Sequence, residues 1–138
     1  MLSYEEIRKF RNENNEFTRH MGIVANILRE GYAEGEMEIK KEHGNVIGSL
    51  HGGVLFTLAD TIGGTAASSR GMKVTTVSSD FHFLSAGIDV RKLYATATEI
   101  KYGNKLCVYD VKVYSDQQKL LAYGVFTYYN LGIPYDIN

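Results

Sequence analysis

The chain has 138 residues, 44% of them hydrophobic, and a formal net charge of −1, so we expect one folded domain over residues 1–138 with its own core. A balanced charge without a basic stripe argues against a nucleic-acid ligand, and no apolar run is long enough to span a membrane. The charged start MLSYEEIRKF does not resemble a signal peptide, and the single cysteine, Cys107, excludes an internal disulfide and a cysteine-based zinc site, so we expect a cytoplasmic protein.

Residues 1–22 are predicted to form an N-terminal helical segment. Ser3 and Glu6 match the S-x-x-E capping box at the start of a helix. The asparagines at 12–15 are expected to end this helix, and a second short helical turn is expected over residues 17–22.

Two extended runs and a loop come next. Residues 23–29 are expected to be extended, and residues 32–40 alternate strictly between polar and small or apolar side chains. Alternation with a period of two predicts a strand with one solvated face. Residues 41–50 are expected to form a loop.

A long helix is predicted to follow this loop. Apolar residues recur at helical spacing on one face, and small residues occupy the other; the apolar set is Val54, Leu55, Leu58, Ile62 and Ala66. A helix that is apolar or small nearly all round is buried. Asp60 is the only formally charged residue between Gly52 and Ser69, and a buried carboxylate is normally paired, protonated or functional.

Arg70-Gly71 is a helix stop signal, and four extended runs follow it. We expect them to form an antiparallel meander over residues 72–84, 92–101, 105–114 and 119–130, with a hairpin turn at Tyr102-Gly103-Asn104 and a tail over 131–138. A long helix wrapped by a curved antiparallel sheet belongs to the α+β class.

The glycines at the start of the long helix expose backbone. Helix N-termini present unpaired N–H groups and a partial positive charge. Gly52 and Gly53 have no side chains, so another molecule can approach that backbone closely. Such a helix start can bind an anion or polarise a carbonyl.

A linked motif runs through this region: Asn45-x-x-Gly48-x-x-His51-Gly52-Gly53, followed by Leu58-Ala59-Asp60. It resembles the hotdog-fold acyl-CoA thioesterases of the phenylacetyl-CoA (PaaI-like) type, and the resemblance covers residues 17–130. It implies a hotdog fold, hydrolysis of an acyl-CoA thioester, and a homodimer or a homotetramer of two dimers. It implies no metal and no cofactor, because coenzyme A is part of the substrate. The sequence departs from the family at Ser85-Ala86-Gly87, where relatives commonly have a proline.

The resemblance also implies roles for single residues. The Gly52 N–H would polarise the thioester carbonyl, and Asn45 would position the carbonyl or the water. Asp60 would be the catalytic carboxylate, either as general base or as nucleophile through an anhydride. Ser78 would help to hold the attacking water. His51 would lie near the sulfur, in an orienting or leaving-group role.

Coenzyme A carries phosphates, so cations are expected at the mouth of the site. The candidates are Arg70, Lys73, Lys101 and Lys105, and relatives often place a basic residue near the hairpin that the last two flank. The Gly53 backbone is expected to lie against the substrate.

Helix geometry predicts a site shared between two protomers. From His51 to Asp60 the helix rises roughly 13 Å and turns by about half a turn. One helix therefore cannot easily aim Gly52 and Asp60 at one carbonyl. We expect one protomer to supply Asn45, His51 and Gly52, and the other to supply Asp60 and Ser78.

Each of these residues also has a purely structural explanation. Asp60 could pair within the core, and His51 could be an ordinary loop or cap histidine. Gly52 and Gly53 could form a tight turn with positive φ, Asn45 could be a turn asparagine, and Ser78 could be an ordinary strand serine.

Two other functions remain open on the same scaffold. One is a hydratase or dehydratase, whose motif spacing differs from the one here. The other is a non-catalytic module that binds acyl groups or CoA esters, since a fold does not by itself fix an activity. The remaining histidines show no spacing typical of metal ligands.

Overall fold

The computed structural model describes residues 1–136 as three α-helices and a six-stranded antiparallel sheet, which confirms the α+β class. No helix in that part of the chain is long and apolar enough to cross a membrane. The helices are α1 (Tyr4–Asn14), α2 (Glu16–His20) and α3 (Gly52–Ala67). The strands are β1 (Val24–Arg29), β2 (Tyr32–Glu38), β3 (Met72–Phe83), β4 (Lys92–Tyr102), β5 (Leu106–Ser115) and β6 (Leu120–Pro134).

Helix α1 begins at the predicted capping box and ends at Asn14, with Asn15 as its C-cap, inside the predicted range 12–15. The Ser3 hydroxyl accepts from the Glu6 N–H at 3.1 Å, and the Glu6 carboxylate accepts from the Ser3 N–H at 2.8 Å. The helix continues through Asn12 to Asn14 because the Asn12 side chain finds partners outside the helix. Its amide exchanges hydrogen bonds of 2.9 and 3.0 Å with the backbone N–H and C=O of Ala25 on β1.

Helix α1 therefore covers one edge of the sheet. Besides Asn12, the Arg8 guanidinium donates to the Ala25 carbonyl at 2.7 Å. An uncovered edge strand presents unpaired backbone groups that can recruit another strand. On β1 the side chains of α1 bind these groups at Ala25.

The strands lie in the order β1-β2-β4-β5-β6-β3, which differs from the expected meander. Of the four strands expected to form the meander, β4, β5 and β6 lie in sequence order, and β3 lies beyond β6 at the far edge. The predicted meander is wrong for β3, because the connection between β3 and β4, residues 84–91, is long enough to cross the end of the sheet from one strand to the other. They pass the start of α3, where the Leu50 N–H donates to the Gly87 carbonyl at 3.0 Å.

The predicted tail over 131–138 is strand as far as Pro134, because β3 continues alongside it and pairs Met72 with Pro134. Proline has no N–H to donate and is tolerated at the end of such a ladder. The last two residues of the predicted tail lie outside the described residues.

Helix α3 packs on the concave face of the sheet. Leu58, Ala59, Ile62 and Ala66 are fully buried there, as their spacing predicts. The closest approach is at Gly63, where an added Cβ would overlap the Tyr128 hydroxyl of β6. A second glycine, Gly35 on β2, makes room for Ile62 in the same way.

The edge formed by β3 is open. The strand pairs with β6 on one side only, and 56% of Val77 and 58% of Phe83 are exposed. A register shift between Thr76 and Ser78 marks a β-bulge at Val77. This edge presents a row of backbone N–H and C=O groups without a partner strand in residues 1–136.

We expect Gly63→Ala to destabilise the protein, because its methyl group would displace the buried Tyr128 hydroxyl. Overpacking of this kind costs about 1–3 kcal/mol. Gly64→Ala is the matched control: its Cβ would meet the end of the Arg11 side chain at 3.3 Å and the Tyr128 ring at 3.7 Å, neither of them an overlap, and alanine favours the helix by up to about 1 kcal/mol. Urea unfolding of both variants measures the difference. Equal midpoints would contradict tight packing at Gly63.

Candidate active site

Asp60 lies halfway along α3, facing the first half of β3. Its Oδ1 accepts hydrogen bonds from Thr76 Oγ1 at 2.8 Å and from Tyr128 Oη at 3.2 Å. The Tyr128 hydroxyl is also 3.1 Å from the Asp60 backbone carbonyl. The other carboxylate oxygen, Oδ2, accepts from no group in residues 1–136. One oxygen of the carboxylate is thus held in place, and the other is free to react.

Tyr128 is suited to hold a carboxylate. Its side chain is buried at 1% exposure, and burial, followed by the nearby Asp60 charge, raises the pKa of its phenol well above the ordinary value. The phenol therefore stays protonated and donates a hydrogen bond to Asp60. Sequence reasoning missed this residue, although the alternation of β6 already indicates that Tyr128 faces inward.

A cleft of about 440 Å³ opens beside Asp60. Phe56 and Val74 form its apolar wall, while the N-terminal helices contribute four more lining residues: Arg11, Asn15, Phe17 and Thr18. Sequence reasoning gave these helices no role at the site. The available sequence signal is Phe17, a large apolar residue in a short and otherwise polar helical segment. The structure leaves its side chain 62% exposed on a five-residue helix.

The structure does not bring Ser78 to Asp60 within one protomer. Thr76 pairs with Tyr128, and the bulge at Val77 makes Ser78 pair with Thr127 instead. Neighbouring strand residues face opposite sides of a sheet, so Thr76 shares the Tyr128 face and Ser78 lies exposed on the other. Thr76, and not Ser78, supplies the strand hydroxyl that contacts Asp60, and the expected role of Ser78 in holding the attacking water stays a prediction.

At the start of α3, His51 is the N-cap residue. Its Nδ1 accepts from the Gly53 N–H at 2.8 Å, and its carbonyl accepts from the Val54 N–H at 3.0 Å. Because Nδ1 is an acceptor, the proton of the neutral ring is assigned to Nε2. The predicted proximity of His51 to a sulfur is compatible with this cap, which leaves Nε2 available.

Gly52 carries the unpaired donor of this helix start: its N–H has no acceptor in the described part of the chain. Gly52 and Gly53 are the first residues of α3 and neither has a positive φ, so the tight-turn explanation is wrong. Gly52 lies against the Phe83 ring, where a Cβ would approach to 3.1 Å. This backbone lines a separate cleft of about 270 Å³ together with Leu50 and residues 83–87.

All the hydrogen-bonding capacity of the Asn45 side chain is used inside its own loop. Its Oδ1 accepts from the Ile47 and Ser49 N–H groups, both at 3.0 Å. Its Nδ2 donates to Ser49 Oγ at 2.9 Å and to the Leu50 carbonyl at 3.3 Å. An asparagine side chain has two donors and two acceptor positions, so Asn45 shapes the loop that precedes α3.

The two halves of the predicted site are apart in one protomer. Gly52 and Asp60 line different clefts, and their separation of eight positions in sequence gives a rise of about 12 Å along the helix. Phe56, Phe81 and Phe126 lie against one another, with ring centroids 5.5–5.6 Å apart. This aromatic cluster lies between helix α3 and the sheet.

The candidate phosphate-binding cations lie near the other end of α3. Arg70 pairs with Glu99 at 2.8 Å and Glu30 at 3.3 Å, so its charge is already matched. Lys101 and Lys105 are exposed in the adjoining β4–β5 hairpin. No cluster of three or more potential metal ligands occurs among residues 1–136.

Comparison with known proteins identifies the family. The sequence matches the Thioesterase superfamily over residues 47–122. It is 34% identical over 110 residues to Escherichia coli acyl-coenzyme A thioesterase PaaI, covering 80% of this chain and 79% of that protein. The solved structure of E. coli PaaI gives a TM-score of 0.90 at 29% identity and covers 95% of each chain.

Two further relatives extend the match across the chain. Human acyl-coenzyme A thioesterase 13 is 30% identical over 129 residues, which cover 91% of this chain and 92% of that protein. A Streptococcus pneumoniae thioesterase protein solved with coenzyme A is 25% identical, with a TM-score of 0.81, and covers 90% of this chain and 99% of that one. The chain therefore belongs to the thioesterase superfamily and has the hotdog fold that the motif from Asn45 to Asp60 implied.

Proposed function

We propose that the protein hydrolyses acyl-CoA thioesters, with Asp60 as the reacting carboxylate and the Gly52 N–H as the group that polarises the carbonyl. The observation that carries this proposal is the asymmetry of Asp60: two hydroxyls hold Oδ1, while Oδ2 is free beside a cleft of about 440 Å³. The names of the E. coli and human relatives support the substrate class, as does the coenzyme A in the S. pneumoniae structure.

The proposed reaction uses these groups in turn. Oδ2 of Asp60 takes a proton from water as the water oxygen attacks the thioester carbonyl. The Gly52 N–H and the positive end of α3 stabilise the oxyanion. The C–S bond then breaks, and the departing thiolate takes up the proton. In the alternative route Oδ2 itself attacks and forms an anhydride that water cleaves; the hydroxyls on Oδ1 serve both routes.

We further propose that two copies of the chain pair through their β3 edges to complete each site. A two-fold axis runs the paired strands antiparallel. Asp60 is bonded near the start of β3, at Thr76, and Gly52 lies against its last residue, Phe83. Pairing centred near Ser79 would therefore bring Gly52 of one copy toward Asp60 of the other. A tetramer of two such dimers stays a prediction.

For the phosphates of coenzyme A we propose Lys101 and Lys105, because Arg70 is already paired with two carboxylates. Antiparallel pairing would bring the C-terminal end of α3 in one copy, with the nearby Lys101 and Lys105, toward the N-terminal start of α3 in the other. A cytoplasmic location stays a prediction that rests on Cys107, the single and unpaired cysteine.

Asp60→Asn keeps the shape of the side chain and an oxygen for both hydroxyls, but removes the base. We expect kcat to fall roughly 10²–10⁴-fold, the usual contribution of a positioned general base, with the fold and oligomer unchanged. Asp60→Ala should lose at least as much. The measurement is release of free thiol from acyl- and aryl-acyl-CoA esters.

Cys107 does not disturb this assay, since burial raises the pKa of its thiol to about 11. Full activity in both variants would make the carboxylate structural. If the wild type binds CoA esters but releases no thiol from any of them, the protein is a binding module and the proposal fails.

Thr76→Val and Ser78→Ala separate two assignments on one strand. Thr76→Val removes the shorter hydrogen bond to the Asp60 carboxylate, and bonds to charged groups contribute about 1.5–3 kcal/mol, so we expect kcat to fall about tenfold or more. Ser78→Ala should retain activity if Thr76 is the relevant hydroxyl. The opposite pattern in thiol release would restore the role that the motif assigns to Ser78.

Mixing two inactive variants tests whether the site is shared. Asp60→Asn supplies an intact Gly52, and Gly52→Val, whose side chain would strike Phe83, supplies an intact Asp60. Subunit exchange between them should regenerate activity, because one site in each mixed dimer is then complete. Thiol release that stays at the background of the separate variants, with mixed dimers demonstrated by differential tagging, would place each site within one protomer.

A further inference from the structure

Arg11 reaches from the last turn of α1 across α3. Its Nε donates to Thr65 Oγ1 at 3.1 Å, and its Nη1 donates to Tyr135 Oη at 2.9 Å and to Ser68 Oγ at 3.3 Å. These partners are neutral hydroxyls. They fix the position of the guanidinium but carry no charge that would compensate its own.

In residues 1–136 no carboxylate lies within 4.0 Å of this guanidinium, whereas Arg8, Arg19 and Arg70 each have an acidic partner at such a distance. A cation drawn partly out of water is normally paired, because its lost hydration must be offset. The Nη2 group makes only one long contact, 3.5 Å to the Thr61 carbonyl, so it has N–H groups to offer.

Arg11 lines the same cleft as Asp60. Its Nη2 lies beside Gly64, where an added Cβ would be 3.3 Å away, and Gly64 is four residues of α3, about 6 Å of rise, beyond Asp60. The missing side chain at Gly64 is what lets the guanidinium come this close to the helix. The reactive Oδ2 and a cation that has no acidic partner within 4.0 Å in residues 1–136 therefore lie in one cleft, about one helical turn apart along α3.

We propose that Arg11 binds the terminal carboxylate of the acyl group, so that the preferred substrates are CoA thioesters of short dicarboxylic acids. The inference rests on the proposed thioesterase function and names its substrate class. With the thioester carbonyl at Asp60, the far carboxylate reaches Nη2, and Val74, which lines the same cleft, contacts the methylene groups between them. The planar guanidinium is the side chain best matched to a carboxylate.

The test compares wild-type kcat/KM for glutaryl-CoA and for its terminal methyl ester, which has almost the same shape but no charge. Hydrogen bonds to charged groups contribute about 1.5–3 kcal/mol, so we expect roughly a ten- to hundredfold preference for glutaryl-CoA. Arg11→Gln should bring this preference close to unity, and Arg11→Lys should retain part of it. Arg8→Gln, on the same helix but outside the cleft, is the matched control and should keep the full preference.

The possible outcomes distinguish a failure of the role of Arg11 from a failure of the proposed thioesterase function. Hydrolysis of both esters at equal efficiency, or a preference for the methyl ester, overturns the role of Arg11 and leaves the thioesterase intact. A second comparison measures how much a phenol hydroxyl raises kcat/KM, as the ratio for 4-hydroxyphenylacetyl-CoA over phenylacetyl-CoA. If this ratio is larger than the ratio for glutaryl-CoA over its methyl ester, the role of Arg11 is also overturned. Release of no thiol from any ester refutes the thioesterase itself. The wild-type comparison decides the matter even if Arg11→Gln fails to fold.

Discussion

The contact between Gly63 and Tyr128 sets both the packing of the helix and the geometry of the carboxylate. Because position 63 has no side chain, the phenol hydroxyl comes against the backbone of α3, and there it donates to the carbonyl and the carboxylate of Asp60. The Tyr128 hydroxyl oxygen thus sets the distance between helix α3 and the sheet and also orients the Asp60 carboxylate. A larger residue at 63 would move both together, which links the stability of this fold directly to its chemistry.

Local patterns predicted those parts of the structure that depend on local forces. The capping box, the alternation of β2, the buried α3 and the exceptional Asp60 are all evident from neighbouring residues. The position of β3 and its bulge depend on pairing with β6, almost fifty residues further along the chain. That pairing decides that Thr76, and not Ser78, meets Asp60. Arg11 and its partner Thr65 are likewise far apart in sequence, so no periodicity could connect them.

The motif residues divide into those that face a ligand and those that build the frame for it. All side-chain hydrogen bonds of Asn45 are made within its own loop. His51 caps helix α3, whose first N–H, that of Gly52, has no acceptor in residues 1–136. These two residues shape the start of the helix, and Gly52 carries the backbone N–H that a ligand can reach. A motif match identifies all of them together, but only the geometry of the hydrogen bonds distinguishes the scaffold from the exposed donor.

The two edges of the sheet are treated in opposite ways, and this limits how the sheet can grow. Asn12 and Arg8 occupy the backbone groups of Ala25 on β1, while the twelve residues of β3 are open along one side. The proposed isologous contact, β3 against β3, would occupy the open β3 edge of both copies. It would leave no β3 edge for a third copy, which disfavours the endless head-to-tail addition that produces fibres.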